Sequence, residues 1–237
     1  MSFVHGKSTK VFINEFDLTE YFNSADASAD CDTAEVTTFG KNSKVYIAGL
    51  KDGTFSAEGF YDDSSDEVKE VLNEALGADN LVSVFYDTAA IGKRGNAANV
   101  INTSSSVSST VDDGSNISVD GQVTGGRKSV ISLHPMGEED TAYLGTSVDL
   151  GASPGTSGAT GYLHVTGATG TIATKIQHSS DDFVSDVEDL ITFTNVTGAT
   201  SEKVDSTITT IKQYVRAFAD ASAGGEDITF NMSIHIK

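Results

Sequence analysis

Residues 53–61 read GTFSAEGFY. Phe55, Ala57, Gly59 and Tyr61 recur at every second position, a period that puts them on one face of a β-strand. The same texture extends upstream. Val11–Phe16 (VFINEF) alternates weakly with β-favouring residues and predicts a strand. Asp17–Phe22 reads as a short helical turn capped by Asp17. In Ser24–Thr38 the small residues Ala25, Ala27, Ala29 and Cys31 alternate with Asp26, Ser28, Asp30 and Asp32. That spacing predicts one small apolar face and one anionic face. Lys44–Ile47 predicts a further strand.

Downstream, Ser64–Leu76 carries the helix pattern of the chain. Ser64 with Glu67 forms a capping-box spacing. Val68, Val71, Leu72, Ala75 and Leu76 make one apolar stripe, and Gly77 stands at the C′ position. Val68, Val71, Leu72 and Leu76 are expected to pack on the sheet. Leu81–Tyr86 (LVSVFY) predicts a strand. From Gly92 to Gly126 the chain is polar. Asn99–Asn102 and Ser105–Val111 read as thin strands, and Ile117–Val123 alternates cleanly, with Gly126–Leu133 expected to pair with it.

Gly151–Gly161 (GASPGTSGATG) has the composition of a flexible linker. Beyond it, Tyr162–Thr166, Thr171–His178, Leu190–Val196, Glu202–Val204, Thr209–Phe218 and Asp227–Ile236 predict six strands separated by Gly, Asn or Asp turns. This is the rhythm of a sandwich or barrel. The expected organisation is a mostly β chain: a β-sandwich or barrel domain over 1–150 with one flanking helix, a linker over 151–161, and a β-sandwich over 162–237.

The chain has 237 residues, with 15 Lys+Arg, 34 Asp+Glu and a net charge of −19. So acidic a chain is a poor sequence-independent nucleic-acid binder, because phosphate attraction needs clustered Lys and Arg. It remains suited to a surface past which DNA slides without sticking. The charge is concentrated early: residues 1–150 hold 10 basic and 24 acidic groups, so 10 − 24 = −14, and the rest hold 5 and 10, so −5. No apolar run reaches the length of a membrane span, and the first ten residues, MSFVHGKSTK, show no apolar signal region. A single cysteine, Cys31, leaves no intrachain disulfide and no multi-cysteine zinc site.

No catalytic set stands out, and neither an enzyme activity nor a cofactor nor a metal is expected. The histidines, at 5, 134, 164, 178 and 235, form neither HxH nor HExxH. His134, near Glu138, Glu139 and Asp140, is expected in a solvated turn, and His164, His178 and His235 on sheet faces. Cys31 lies between Asp30 and Asp32, whose charge disfavours the thiolate a nucleophile needs; an inward-facing small residue is the expectation. Val111–Gly121 (VDDGSNISVDG) lacks the residue order of a calcium loop and predicts a hairpin turn at Asp113-Gly114. The basic doublets Lys93-Arg94 and Arg127-Lys128 are expected to meet acidic surfaces of a neighbouring copy.

The order VFINEF–DLT, the acidic stretch ending AEVTTFG, the segment KNSKVYIAGLKD, the strand GTFSAEGFYDD, the helix SSDEVKEVLNEALG and the strand LVSVFYDT resembles the major tail tube proteins of long-tailed bacteriophages. The segment after the linker is similar to small β-sandwich modules of phage virion proteins. The resemblance implies a structural virion protein of the tail. Six copies would close a ring, and rings would stack into a channel for DNA ejection. The implied partners are the chain itself, a tape measure protein and a tail terminator. DNA would pass without specific binding, no membrane would be involved, and assembly would take place in the host cytoplasm. The competing reading is a head decoration or surface-binding β-sandwich protein.

Two surfaces follow as candidates. Lys41–Lys51 (KNSKVYIAGLK) sets Val45, Tyr46, Ile47 and Leu50 among Lys41, Lys44 and Lys51. It is expected to be an assembly loop that orders only between subunits. Asp26, Asp30 and Asp32 are expected toward the channel axis or a subunit seam. The part after the linker is expected to be a separable, external unit.

Overall fold

The computed structural model describes residues 6–62, 68, 75–111, 114–152, 154–221 and 224–237. Among them the chain is mostly β, built of antiparallel strands. In order these are β1 (Lys10–Ile13), β2 (Phe16–Asp17), β3 (Phe22–Ala27), β4 (Asp30–Glu35), β5 (Tyr46–Asp52), β6 (Thr54–Phe60), β7 (Asp79–Phe85), β8 (Arg94–Ser108) and β9 (Asn116–Glu139). They continue as β10 (Ala142–Leu144), β11 (Val148–Asp149), β12 (Ala159–Thr169), β13 (Ala173–Ser179), β14 (Glu188–Thr192), β15 (Thr200–Asp205), β16 (Tyr214–Asp220) and β17 (Asp227–Ile236).

The chain forms two compact units. The first draws on residues up to Glu20, on Leu81–Ala97 and on Lys128–Lys237; the second on Tyr21–Asn80 and Ala98–Arg127. In the first, a larger sheet runs β15-β12-β17-β9-β8-β7-β1-β2. A smaller one runs β14-β13-β16, with β10 and β11 both paired to β16. Strand β16 shows why they stack: Val215, Ala217 and Ala219 are buried while Tyr214, Arg216 and Phe218 are half-buried, the alternation of a strand with one inner face. Leu133, Leu163, Val165, Phe230 and Met232 of the larger sheet meet Ile176, Ile191, Val215 and Ala217 of the smaller in one cluster. Strand β12 is buried from Ala159 to Val165. Its other face carries Tyr162 into a second cluster with Phe12, Phe85 and Val130.

His164 lies in β12, fully buried. Its Nδ1–H donates to the Asn14 carbonyl at 2.7 Å, which leaves Nε2 to accept from the Ser83 hydroxyl at 2.8 Å. Burial pushes its pKa down to about 4, against smaller opposing effects from the Asn14 carbonyl and Asp17. The imidazole is a neutral crosslink between strands.

In the second unit β3 pairs β6 and β6 pairs the first half of β9. Phe55 and Ala57 of β6 and Ile117 and Val119 of β9 are buried, as the alternation in GTFSAEGFY requires. Strands β4 and β5 form a two-stranded sheet of their own.

The six strands expected after residue 161 are all present, as β12–β17. Other expectations are corrected. The compact units do not divide at 151–161. Strand β17 pairs with β9, from Ile228↔Glu139 to Ile234↔Ile131, and Leu133 shares the core of β12–β17. The segment after the linker therefore completes a sheet begun before it. Ile117–Val123 and Gly126–Leu133 are not two paired strands but parts of the single strand β9. Gly125 and Gly126 both take positive φ, 72° and 79°. The strand continues through this left-handed conformation, which only glycine adopts freely, without reversing.

His134 is buried, not in a solvated turn. It stacks on Phe230 at 4.1 Å, its Nδ1–H donates to the Phe230 carbonyl at 3.0 Å, and its Nε2 lies 3.1 Å from Glu139. A register break opposite Phe230/Met232 gives Pro135 and Met136 a place outside the regular ladder, so the proline does not end the strand. No helix forms over Asp17–Phe22: Asp17 ends β2 and Phe22 opens β3, with a turn between them and Asp17 Oδ1 accepting from Thr19 N at 3.1 Å. Most of the helix expected at Ser64–Leu76, with Val71 and Leu72, lies outside the described residues. Val68 is helical and buried, but Leu76 sits in a turn and is 53% exposed. The residue before the C′ position has already left the packed face.

Truncation after residue 152 should abolish folding, because it strips β17 from β9 and removes most of the first core. Soluble, cooperatively melting protein from such a chain, seen by circular dichroism, would refute this. His164 adds a pH signature. Its folded pKa lies below the unfolded value, so the unfolded chain takes up the proton first. The stability it supports is present above about pH 6.5 and is lost as pH falls toward 4, by up to about 3 kcal/mol. Denaturant titrations at pH 7 and 5, compared with His164→Gln, should show wild type losing more stability than the variant.

Candidate assembly surface

The second unit carries an outward sheet face and a projecting hairpin. On β6 the residues that alternate with the buried set are Thr54, Ser56, Glu58 and Phe60, all outside the core. Their register partners define rows across the sheet. Ser56 lies opposite Asp26 of β3 and Asp120 of β9, and Glu58 opposite Ser24 and Ser118. Strand β8 continues both rows: the Ser104 hydroxyl donates to Asp120 at 2.9 Å, and the Ser106 and Ser118 hydroxyls lie 2.8 Å apart. Thr54 and Gln122 form the row at one end, Phe60 and Asn116 the row at the other. Residues 22–27, 54–60, 98–108 and 116–126 contain no Lys or Arg, so the face is hydroxyl-rich and purely anionic.

The hairpin is rooted where β3 ends and β6 begins. Ser28 N donates to the Thr54 carbonyl at 2.8 Å, and Thr54 N to the Ser28 hydroxyl at 3.1 Å. Gly53 N donates to Asp52 at 2.7 Å, and Gln122 also hydrogen-bonds Asp52. From this root β4 and β5 pair from Asp30↔Asp52 to Glu35↔Tyr46, with a register shift between Cys31 and Thr33. Val36 N to the Val45 carbonyl, 2.8 Å, extends the ladder. Gly40, at φ 84°, turns the tip.

Every residue from 29 to 52 is exposed. Leu50 is 81% exposed, and Phe39 fully; Val36, Val45, Tyr46 and Ile47 are also open to solvent. The lysines sit among them. Lys44 pairs with Glu35 at 2.9 Å, a surface contact of small stabilising value. So many large apolar side chains together on one projecting element mark a contact surface.

The structure brings Lys41, Lys44, Val45, Tyr46, Ile47, Leu50 and Lys51 together on this hairpin, and residues 46–52 are a strand, not an irregular loop. It separates the three aspartates. Asp26 lies exposed on β3, in the sheet face, while Asp30 and Asp32 lie on β4, in the hairpin. The strand break at Ser28-Ala29 divides them, so they share no face. Cys31 is exposed and not inward, because no sheet covers β4. Glu58 and Asp120 were not singled out from the sequence; the alternation that buries Phe55 and Ala57 already placed Glu58 with Ser56 on the outer face. Of the basic doublets, Lys93 pairs with Asp87 at 2.6 Å and Arg127 donates to the Ala27 carbonyl. Among the described residues no group of His, Cys, Asp and Glu is arranged to hold a metal ion.

No protein-family model and no curated protein matches the chain. Solved structures match it at low identity. A chain in the virion of a native gene transfer agent particle is 12% identical, with TM-score 0.42, over 53% of this chain and 97% of that one. The tail tube of SPP1 is 14% identical, with TM-score 0.43, over 52% of this chain and 77% of that one. The SPP1 Dit protein, described as a hub adsorption apparatus of phages infecting Gram-positive bacteria, is 11% identical, with TM-score 0.37, over 94% of this chain and 98% of that one.

Ile47→Asn and Leu50→Asn should leave the melting transition nearly unchanged, within about 0.5 kcal/mol, because exposed positions make few contacts in the isolated chain. A loss above about 2 kcal/mol, as expected for a core position, would show that the hairpin packs on its own subunit.

Proposed function

We propose that the chain is a structural virion protein, the major tail tube subunit of a long-tailed bacteriophage. It assembles in the host cytoplasm into hexameric rings that stack into a channel for DNA. The observation that carries this reading is the hairpin at 29–52, exposed throughout and set with Phe39, Tyr46, Ile47 and Leu50. Such an element gains its stability from a second molecule, by removing apolar surface from water. The sequence resemblance adds the identity of that molecule: a further copy, with tape measure and terminator proteins at the limits of the assembly.

The anionic sheet face suits the channel wall. Asp26 and Asp120, in the row through Ser56, repel a polyanion, and their hydroxyl neighbours offer it no cation to hold. Repetition around a ring turns each carboxylate into a belt of charge, screened over about 8–10 Å at physiological salt. DNA then passes without specific binding.

Purified full-length protein should form rings or hollow tubes by electron microscopy, and Leu50→Asn should abolish them while the chain stays folded. Protein that remains monomeric under all conditions refutes the proposal. Asp26→Lys with Asp120→Lys should still give tubes, but ones that retain short duplex DNA at low salt and release it as salt rises. Equal DNA retention by wild type and variant would remove these residues from the channel wall.

A further inference from the structure

We infer that the tip of the hairpin docks, through Lys41, into a cleft around Glu58 on a second copy of the chain. The inference rests on the assembly reading above and adds the receptor.

The polar face of the second unit has two unlike ends. Ser28, Asp52 and Gly53 root the hairpin at one of them. Strand β6 runs from there through the Ser56 and Glu58 rows to Phe60, about 20 Å away at the usual rise per residue. At that far end Asn23, Glu58, Ser106, Ser108, Asn116 and Ser118 line a cleft of about 400 Å³. Glu58 therefore belongs to the last carboxylate row, at the rim of the face.

The lining selects a cation. Glu58 is the one charged group in it, and its carboxylate makes no ion pair or hydrogen bond among the described residues. Beside it, Gly59 and Ile117 complete the lining, and the amides of Asn23 and Asn116 with the hydroxyls of Ser106, Ser108 and Ser118 can accept from an ammonium. Phe60, in register with Asn116 and 55% exposed, stands beside them. Its ring offers a face for an alkyl stem or a cation.

The hairpin tip has the matching chemistry. Lys41 is exposed and unpaired among the described residues, whereas Lys44 is held by Glu35. Lys41 follows the Gly40 turn and lies two residues from the fully exposed Phe39. A docked tip sets the Lys41 ammonium on the Glu58 carboxylate and Phe39 against Phe60. Every copy carries one tip and one cleft, so a second copy supplies both halves in equal number. The pairing joins opposite charges, with Phe60 beside the carboxylate and Phe39 beside the ammonium.

The test uses assembled full-length protein from an equal mixture of ¹⁴N and ¹⁵N chains, treated with a zero-length carbodiimide crosslinker. Lys41–Glu58 linkages joining chains of different isotope are expected. Assemblies that form but yield this linkage only within one isotope, or not at all, overturn the inference. Charge reversal gives a second readout. Lys41→Glu and Glu58→Lys should each stop assembly, and the double variant should restore it. Glu58→Gln, which keeps the shape, should raise the protein concentration needed for assembly severalfold. Assembly of Glu58→Lys at wild-type concentrations overturns the inference and leaves the assembly reading standing; a wild-type chain that never assembles removes both.

Discussion

A strand survives only if its backbone donors and acceptors find partners, and β9 provides them in both units. Its first half receives β6 and its second half receives β17. Ile117 and Val119 serve one interior, Val130 and Leu133 the other. The glycine pair at 125–126 lets one continuous strand do both. The dependence runs through sequence as well: the last strand of the chain needs β9, and β9 needs it. Segments far apart in the chain thus fold as one cooperative problem, which a modular reading of the sequence does not anticipate.

What the sequence made legible was local periodicity. The alternation in GTFSAEGFY predicts β6 with Phe55, Ala57 and Gly59 on one face, since a pleated strand forces period two wherever one side is wet. The six strands of the C-terminal part were legible for the same reason. Pairing was not. Gly151–Gly161 has the composition of a linker, yet composition reports flexibility and not whether the segments on either side share a core. Gly125-Gly126 reads as a turn between strands, yet two glycines of positive φ also occur within a single strand. His134 was misplaced because its loop-like neighbours, Pro135 and Gly137, are absorbed by a register break that depends on β17.

At the assembly surface the residue types were legible and their grouping was not. The mixture of lysines and large apolar side chains at 41–51 signals a contact element wherever the chain places it. The aspartates at 26, 30 and 32 obey one alternation on paper, but a break of two residues assigns them to different sheets. The two surfaces of the second unit differ in kind. The hairpin combines apolar area with charges of both signs, which favours adhesion. The sheet face has carboxylates and hydroxyls without a cation, which favours solvation and the passage of other anions.

The hairpin is rooted at one end of β6 only, and this gives the subunit a direction. Copies joined through two different surfaces form an array with unlike termini, one offering free hairpins and the other vacant receptors. Each addition regenerates the same two termini, so the interface itself contains no signal to stop. Polarity is intrinsic to such an array, whereas its length has to be imposed by a component that recognises one terminus and not the other.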